Sequence, residues 1–436
     1  MTLHLPPHLS LPMSRRRQRR LTGILSTITT RPDVLTPGIT IATDTTEVDA
    51  ARAALGAVTS ALKLRFFERD SIIDGLAIAL VAGEHMFLLG DPGTAKSELV
   101  ETTAAAVDAA FFANLCNRYQ QPDEVVGHWD VGALQKENRY LRRTTRRLPE
   151  ARVAFLDEVF KGSPALLNTL LKLLNERTFE NDGVTTKVPL RLVVGASNET
   201  PDPRDGLDAF YDRFLLRYDA KRLTGLPGLS AVLFGEGPTP PPVPSISFTA
   251  IDALAASART IAITGDGKAA VLKIRDGLEV EGIKVSDRRW KKIIKALKAS
   301  AAIRGVDRVT SASLSLIEDA AWSKPEQRPK VQEIVRSHVA SWVRDLAKAD
   351  SSIDEQMARA SNAKGAAGKR SDSIAALGRC LDVAIETAKT VKTIGEQYSE
   401  AADEVTRVNA RLAKLQTAIT EGMRAQGVGA QIGGGA

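Results

Sequence analysis

The chain has 436 residues, 43% of them hydrophobic and 25% charged, with a net charge of +7 and two cysteines. This length leaves room for two or three domains around a sizeable core, and the composition is that of an ordinary soluble protein. Cys116 and Cys380 are too few for a disulfide framework or a thiolate metal cluster, no apolar run is long enough to span a membrane, and the opening "MTLHLPPHLSLPMSRRRQRR" puts prolines where a signal peptide carries its apolar stretch, so a cytoplasmic location is expected.

Residues 1–45 lack sustained periodicity and read as a flexible basic tail. The run Arg15, Arg16, Arg17, Arg19 and Arg20 is either a solvated charge cluster or a loose contact with nucleic acid or an acidic partner. A helical pattern from residue 46 leads into "HMFLLGDPGTAKSELV". There Met86–Leu89 reads as a buried strand, Gly90–Ala95 as a turn and the residues after Lys96 as a helix. A strand aimed through a turn at a helix N-terminus is what phosphate binding needs, because the first helical N–H groups are unpaired and the macrodipole favours an anion there. Gly90, Asp91, Pro92, Gly93, Thr94 and Ala95 would form the cradle, Lys96 would reach the β/γ-phosphates and Ser97 would hold Mg²⁺. Ala95 stands where the pattern G-x-x-x-x-G-K-[ST] has its second glycine, and its methyl is harmless if φ there is negative.

Downstream, about sixty residues beyond Lys96, "RVAFLDEVFKG" ends the apolar run Val153–Leu156 in Asp157 and Glu158. A strand beside the loop's own strand would bring Asp157 to the Mg²⁺ shell and Glu158 to the attacking water. The run Leu192–Ala196 ends similarly in Asn198, which reads as a turn residue or as the group that orients that water. Arg213 and Arg217 in "LDAFYDRFLLRYD" could pair with Asp212 and Asp219, or reach a neighbouring subunit's γ-phosphate. Strand and helix patterns alternate as far as Tyr218, the sign of an α/β fold with a parallel sheet covered by helices.

The stretch "LTGLPGLSAVLFGEGPTPPPVPSIS" is rich in Pro and Gly and is expected to be irregular, with a domain boundary in it. Residues 246–345 look helical. In "SDRRWKKIIKALKASAAI", Ser286 is a candidate N-cap, and Ile293, Ile294 and Leu297 share a face. A polar break, "SSIDEQMARASNAKGAAGKRSDS", precedes heptad-spaced Ile374, Leu377, Leu381, Ala384, Ala388, Val391, Gly395, Tyr398, Ala402, Val405, Asn409, Leu412 and Ile419. Small or polar residues at several of these positions point to a helical hairpin or weak coiled coil, and "GVGAQIGGGA" reads as a loose end. The expected division is therefore 1–45 tail, 46–225 α/β core carrying the phosphate loop, 226–245 linker, 246–345 helical domain and 346–436 C-terminal arm.

The stretches "LLGDPGTAKSELV", "FLDEVFKGSPALLNTLLKLLNERTFENDG", "VVGASNETPDPRDGLDAFYDRFLLR" and "VSDRRWKKIIKALKASA" together resemble the MoxR family of AAA+ ATPases, and within it the RavA group. The likeness spans about residues 46–345 and includes the A-K-S ending of the loop, so by that measure Ala95 belongs to a working loop. It implies an αβα core with an all-helical lid, and Mg²⁺-ATP hydrolysis between the subunits of a homo-oligomeric ring, usually of six. Lys96 and Ser97 would be Walker A, Asp157 and Glu158 Walker B, Asn198 sensor 1, Arg213 ahead of Arg217 the arginine finger, and Arg288, with Arg289 beside it, the lid's sensor 2. "QQPDEVVGHWDVGALQKENRYLRRTTRRLPE" falls where such proteins carry a helix-2 insert, and "ERTFENDGVTTKVPLRL" resembles the hairpin before sensor 1, turning at Asp182-Gly183. "KENRYLRRTTRRL" reads as a substrate contact or as a solvated basic hairpin. The implied activity is chaperone-like remodelling of a protein partner, one bearing a von Willebrand factor A domain. A nucleic-acid-stimulated motor and a chelatase-type metal-insertion motor are the alternatives.

Overall fold

A computed structural model describes residues 45–201, 206–235, 240–339, 341–365, 370–398 and 401–426; the N-terminal tail with its arginine run and the glycine-rich end lie outside the described residues. The core opens with helices α1 (Thr45–Arg65) and α2 (Asp70–Ala82), followed by strand β1 (His85–Leu89), α3 (Lys96–Ala106) and β2 (Phe111–Leu115). Two short helices, α4 (Pro122–Val126) and α5 (Val131–Glu137), precede β3 (Val153–Asp157) and α6 (Pro164–Glu176). Next come the hairpin β4 (Thr178–Asn181) and β5 (Val184–Lys187), then β6 (Leu192–Ser197), α7 (Asp208–Tyr211) and β7 (Phe214–Asp219).

Five of these strands form one parallel sheet in the order β2-β3-β6-β1-β7. Their continuous apolar runs follow from burial on both faces. Side chains alternate along β1, so Met86 and Leu88 join a cluster with α1, α2 and the lid, whereas Phe87 enters a second cluster with Leu166 and Leu170 of α6. The expected αβα layering is the result. Register places Leu89 opposite both Ser197 and Asp219, and Leu115 opposite Asp157, so all five carboxyl ends finish along one edge. The β4–β5 turn has positive φ at Asp182 (53°) and Gly183 (74°), as a two-residue hairpin requires.

The Pro/Gly-rich stretch departs from its expected irregularity. Leu226–Phe234 is a helix, α8. Its proline lies in the first turn, where a missing N–H costs nothing, and Gly235 ends it at φ 67°. The following lid contains α9 (Phe248–Thr260), β8 (Ala262–Ile263), α10 (Gly265–Val280), α11 (Asp287–Arg304), β9 (Arg308–Val309), two 3₁₀ segments and α12 (Arg328–His338). Ser286 caps α11 by accepting from Arg289 N at 3.2 Å, while Ile293 and Leu297 are buried. The lid is helical apart from its small features, among them the two-residue parallel pair β8–β9.

The C-terminal arm has three helices: α13 (Ser341–Gly365), α14 (Arg370–Gln397) and α15 (Ala402–Ala425), packed around Trp342, Leu346, Ile353, Leu377, Leu412 and Ile419. It begins at 341 rather than 346, and most of the expected polar break is the second half of α13. Polar residues there are compatible with helix because only one stripe of α13 faces the bundle. Leu377, Ala384, Val391, Leu412 and Ile419 are buried as the heptad predicts, but Gly395, Ala402 and Asn409 are exposed. Ile394, Ala401, Val408 and Leu415 take the seam, one residue before the expected positions; the offset is already present within α14 and continues at seven-residue intervals across the break after Gln397.

Candidate nucleotide site

The loop after β1 is shaped by residues with positive φ. Gly90 has φ 153°, and a Cβ there would lie 2.4 Å from the Ala220 carbonyl oxygen; Gly93 has φ 78°. Ala95 has φ 59° and ψ 25°, so the condition under which its methyl would be harmless is not met. A left-handed alanine costs about 1 kcal/mol or more, and it persists because Ala95 is the N-cap of α3, its carbonyl accepting from Leu99 N at 3.1 Å. The exposed Ser97 lies in the first turn of that helix, beside the N–H groups that have no helical acceptor.

Lys96 Nζ donates to the carbonyls of Gly90 (2.7 Å) and Asp91 (2.8 Å). Burial lowers its pKa, opposed by the nearby carboxylates of Asp157, Glu158 and Asp91. These influences place the end of β3 and the loop in one electrostatic neighbourhood. Asp157 Oδ1 accepts from Glu158 N at 3.0 Å; Glu158 itself is left-handed at φ 48°, and its carboxylate is 3.1 Å from Lys161 Nζ. Asn198 is exposed one residue beyond Ser197, at the same edge of the sheet. Thus Gly90–Ser97, Asp157, Glu158 and Asn198 are brought together.

Sequence reasoning missed Arg69. Its guanidinium donates to the carbonyls of Thr94 (3.3 Å) and Lys221 (2.7 Å), strapping the loop to the chain leaving β7. Next to it, Glu68 accepts from the N–H groups of Thr224 and Gly225, the latter at 2.6 Å, and fixes the start of α8. No motif marks this pair, since its partners are backbone groups at Thr94 and, 152–157 residues from the pair, at Lys221, Thr224 and Gly225.

The four arginines occupy the opposite end of the sheet. Phe214 pairs with His85, so Arg213 precedes the first residue of β7 and is separated from the level of Leu89 by about 15 Å of strand. Arg217 is 1% exposed; it stacks 3.7 Å over the Tyr211 ring and donates to Trp322 O, Ser323 Oγ and Tyr211 O. Burial lowers its pKa to about 9. Arg289 is equally committed, donating to Ala320 O at 2.7 Å and Leu215 O at 2.8 Å. Both join the lid to the core and are unavailable to a phosphate. By contrast Arg288 is half exposed and bound to Asp212 at 2.8 Å, while Arg213 Nε and Nη1 are buried with no hydrogen-bond acceptor among the described residues. Burial, then the charge of Arg288, lowers the Arg213 pKa. The geometry therefore separates Arg213 and Arg288 from Arg217 and Arg289, and neither of the first two is near its own loop.

Three of the five arginines of the basic insert are paired with carboxylates. Arg139 pairs with Asp182, Arg142 with Asp123 and Arg143 with Asp130, whose pKa hydrogen bonding to Arg143 pulls down to about 2. Asn181 and Arg142 exchange hydrogen bonds at 2.7 and 3.1 Å, so the insert and the β4–β5 hairpin form one unit. Tyr140 and Val184 stay exposed on it.

Residues 53–235 match the family model of the MoxR domain in the MoxR-vWA-beta-propeller ternary systems, and residues 268–335 match an AAA lid domain. An uncharacterized protein of Methanocaldococcus jannaschii is 36% identical over 61% of this chain and 70% of its own length. The chaperone MoxR1 of Mycobacterium tuberculosis is 25% identical over 42% of this chain and 48% of its own length. The crystal structure of a provisionally described ATPase from Cytophaga hutchinsonii aligns with a TM-score of 0.54 at 16% identity, over 67% of this chain and 95% of that one, a likeness of fold. The C-terminal helical bundle lies beyond both matched regions.

Proposed function

Since the chain belongs to the MoxR family of AAA+ ATPases, we propose that it hydrolyses Mg²⁺-ATP between the subunits of a homo-oligomeric ring, of six in the family pattern, and uses the cycle to remodel a protein partner. The observation that carries this reading is the separation of the two half-sites: the loop and carboxylates lie at the carboxyl edge of the sheet, and the uncommitted arginines at the amino edge. One subunit cannot close its own site, whereas two adjacent subunits can.

Lys96 and the first N–H groups of α3 would bind the β/γ-phosphates. Ser97 and Asp157 offer hard oxygen donors suited to Mg²⁺, which takes only one or two protein ligands and fills its shell with phosphate oxygens and water; among the described residues no three-residue His/Cys/Asp/Glu cluster competes for it. Bound there, Mg²⁺ would offset the charge that develops on the phosphate oxygens. Glu158 would accept a proton from the attacking water, and Asn198 would orient that water. Arg213 and Arg288 of the next subunit would face the γ-phosphate. Hence the lid arginine acts across the interface rather than within its own chain.

A partner with a von Willebrand factor A domain fits the systems in which the matched MoxR domain is described. Placement in the RavA group, a cytoplasmic location and a docking role for α13–α15 belong to the same proposal. Internal pairing of the insert arginines weighs against a nucleic-acid motor, and a chelatase-type reading has no metal-ligand cluster among the described residues to favour it. The test is complementation: Arg213→Ala and Lys96→Ala subunits, each inactive alone, should recover turnover when mixed, wherever an intact loop meets an intact finger. Absence of recovery in subunits shown to co-assemble would remove the trans arrangement. A chain truncated before α13 should keep basal turnover and lose stimulation by the partner.

A further inference from the structure

Below the amino end of β1, a cavity of about 660 Å³ opens between the core and lid helices α9 and α11. Seven basic side chains line it, against one carboxylate, Glu84. Part of this charge has a structural use. Arg177 donates to Gly83 O at 2.9 Å, and Arg191 to Leu80 O at 2.7 Å and Val81 O at 3.0 Å, so the two guanidinium groups cap the C-terminus of α2. Burial pulls the Arg177 pKa down to about 10, and the charge of Arg191 adds to the effect; burial also lowers the Arg191 pKa, opposed by Asp252 and reinforced by the charge of Arg259.

A helix cap does not account for the rest. Lys292 and Lys295 share Glu84, at 3.2 and 2.8 Å, which leaves the trio one positive charge in excess. Lys291, Lys298 and Arg259 line the same space and have no carboxylate partner among the described residues. Lys291, Lys295 and Lys298 recur at four- and three-residue spacing along α11 and share one face at the rim of the cavity, where Lys291 and Lys295 are exposed and Lys292 and Lys298 half-buried. Like charges gathered around a partly desolvated space raise one another's free energy, and a multivalent anion relieves all of them together.

We propose that this cavity is a second anion site, which binds a small oligophosphate and is separate from the nucleotide loop. Its volume falls within the range of about 300–1,000 Å³ usual for small-molecule sites. The fork of Arg259 beside several ammonium groups suits phosphate better than a single carboxylate. A ligand there would bridge Lys298 of α11 to Arg259 of α9. It would also tie down α11, whose first turn carries Arg288.

The test is calorimetric titration of inorganic tripolyphosphate into the full chain. The parent should show two sites and Lys96→Ala one, with affinity falling steeply as salt rises. In the Lys96→Ala background, Lys291→Glu with Lys298→Glu should weaken the remaining site at least about tenfold. Lys291→Ala with Lys298→Ala, a milder pair in case charge reversal disturbs folding, should weaken it by roughly half that factor on a logarithmic scale. ATP titrated into the same variants tells a nucleotide from a free polyphosphate as the source of the phosphates. The proposal is overturned if Lys96→Ala binds no tripolyphosphate, if either lysine pair leaves binding unchanged, or if a single-stranded DNA oligonucleotide binds there in preference. Two unchanged sites in Lys96→Ala would instead count against the phosphate-loop assignment and leave the cavity standing.

Discussion

The two edges of the central sheet use strain and burial in opposite ways. At the carboxyl edge the reactive groups lie at the surface on a backbone bent through Gly90, Gly93, Ala95 and Glu158, all with positive φ. At the amino edge positive φ serves to end helices, at Gly83 after α2 and Arg177 after α6, and the unfavourable energy lies in side chains: Arg213 with two unpaired buried nitrogens, and a basic cavity with one lining carboxylate. Each edge carries an uncompensated cost in the isolated chain. Such costs mark where a ligand or a second subunit is needed.

The largest effect should come from the carboxyl edge. Glu158→Gln keeps the Asp157 carboxylate but removes the base, so ATP should still bind while turnover falls about 10²- to 10⁴-fold. Turnover equal to the parent in a steady-state phosphate-release assay would end the assignment.

At the amino edge the neighbouring arginines should respond in opposite directions. Arg217→Ala strands the buried carbonyls of Tyr211 and Trp322, which at about 1–3 kcal/mol each should destabilise the chain by roughly 3 kcal/mol or more. Arg213→Met keeps the apolar stem and removes the buried unpaired nitrogens. It should leave the isolated subunit as stable as the parent or more so, while the assembled protein loses turnover. Urea denaturation of both variants decides this: a large loss of stability in Arg213→Met would make that arginine structural too.

These contrasts show what the sequence could carry. The loop and the Asp157–Glu158 pair were legible because strand, turn and helix are consecutive, and their chemistry is written in adjacent residues. Only the family resemblance put Arg213 ahead of Arg217 and Arg288 ahead of Arg289; the residues themselves did not decide, since the acceptors that do, Trp322 O and Ala320 O, come from distant chain. The cavity was invisible for the same reason: its cations come from α9, α11 and the segments ending in Arg177 and Arg191. In the C-terminal arm the seven-residue repeat was real, but half of its seam runs through Ile394, Ala401 and Val408 rather than one residue later, because the helices packed alongside decide which of two neighbouring positions is covered. Helix α8 was missed because a proline that breaks a helix interior is acceptable in its first turn.

Acidification should probe the edges separately. At the amino end, His85 accepts from Val193 N at its Nδ1 and meets Leu174 O at its Nε2, and burial, then the charge of Arg177, holds its pKa well below 6.5. Its contribution to stability is present above pH 6.5 and is lost as pH falls toward the folded-state value. Asp319, hydrogen-bonded to Tyr218 near the other end, is pushed by burial from 3.8 to about 6. Its contribution is present below pH 3.8 and is lost as pH rises through 6. Between about pH 4 and 6 the two slopes oppose each other, so the parent should change little. Asp319→Asn should lose about 1.4 kcal/mol per pH unit on acidification through that window, and His85→Gln should gain. Parallel curves for parent and Asp319→Asn would show that the pair does not govern this range.

The smallest effect concerns Ala95, the residue at which the loop departs from the glycine pattern. With φ at 59°, its Cβ crowds the following peptide at a cost of about 1 kcal/mol or more. Ala95→Gly removes this crowding in the folded state, but it gives the unfolded chain more freedom and so loses roughly 0.4–1 kcal/mol. The two terms nearly cancel, and global stability should shift by under about 1 kcal/mol. Their difference should appear instead in nucleotide binding. If alanine holds the loop in its bent form before phosphate arrives, glycine will loosen it, and ATP affinity should fall about two- to fivefold without any change in turnover at saturating ATP. If affinity rises, the methyl strains the bound loop more than the free one, and Ala95 does not preorganise the site.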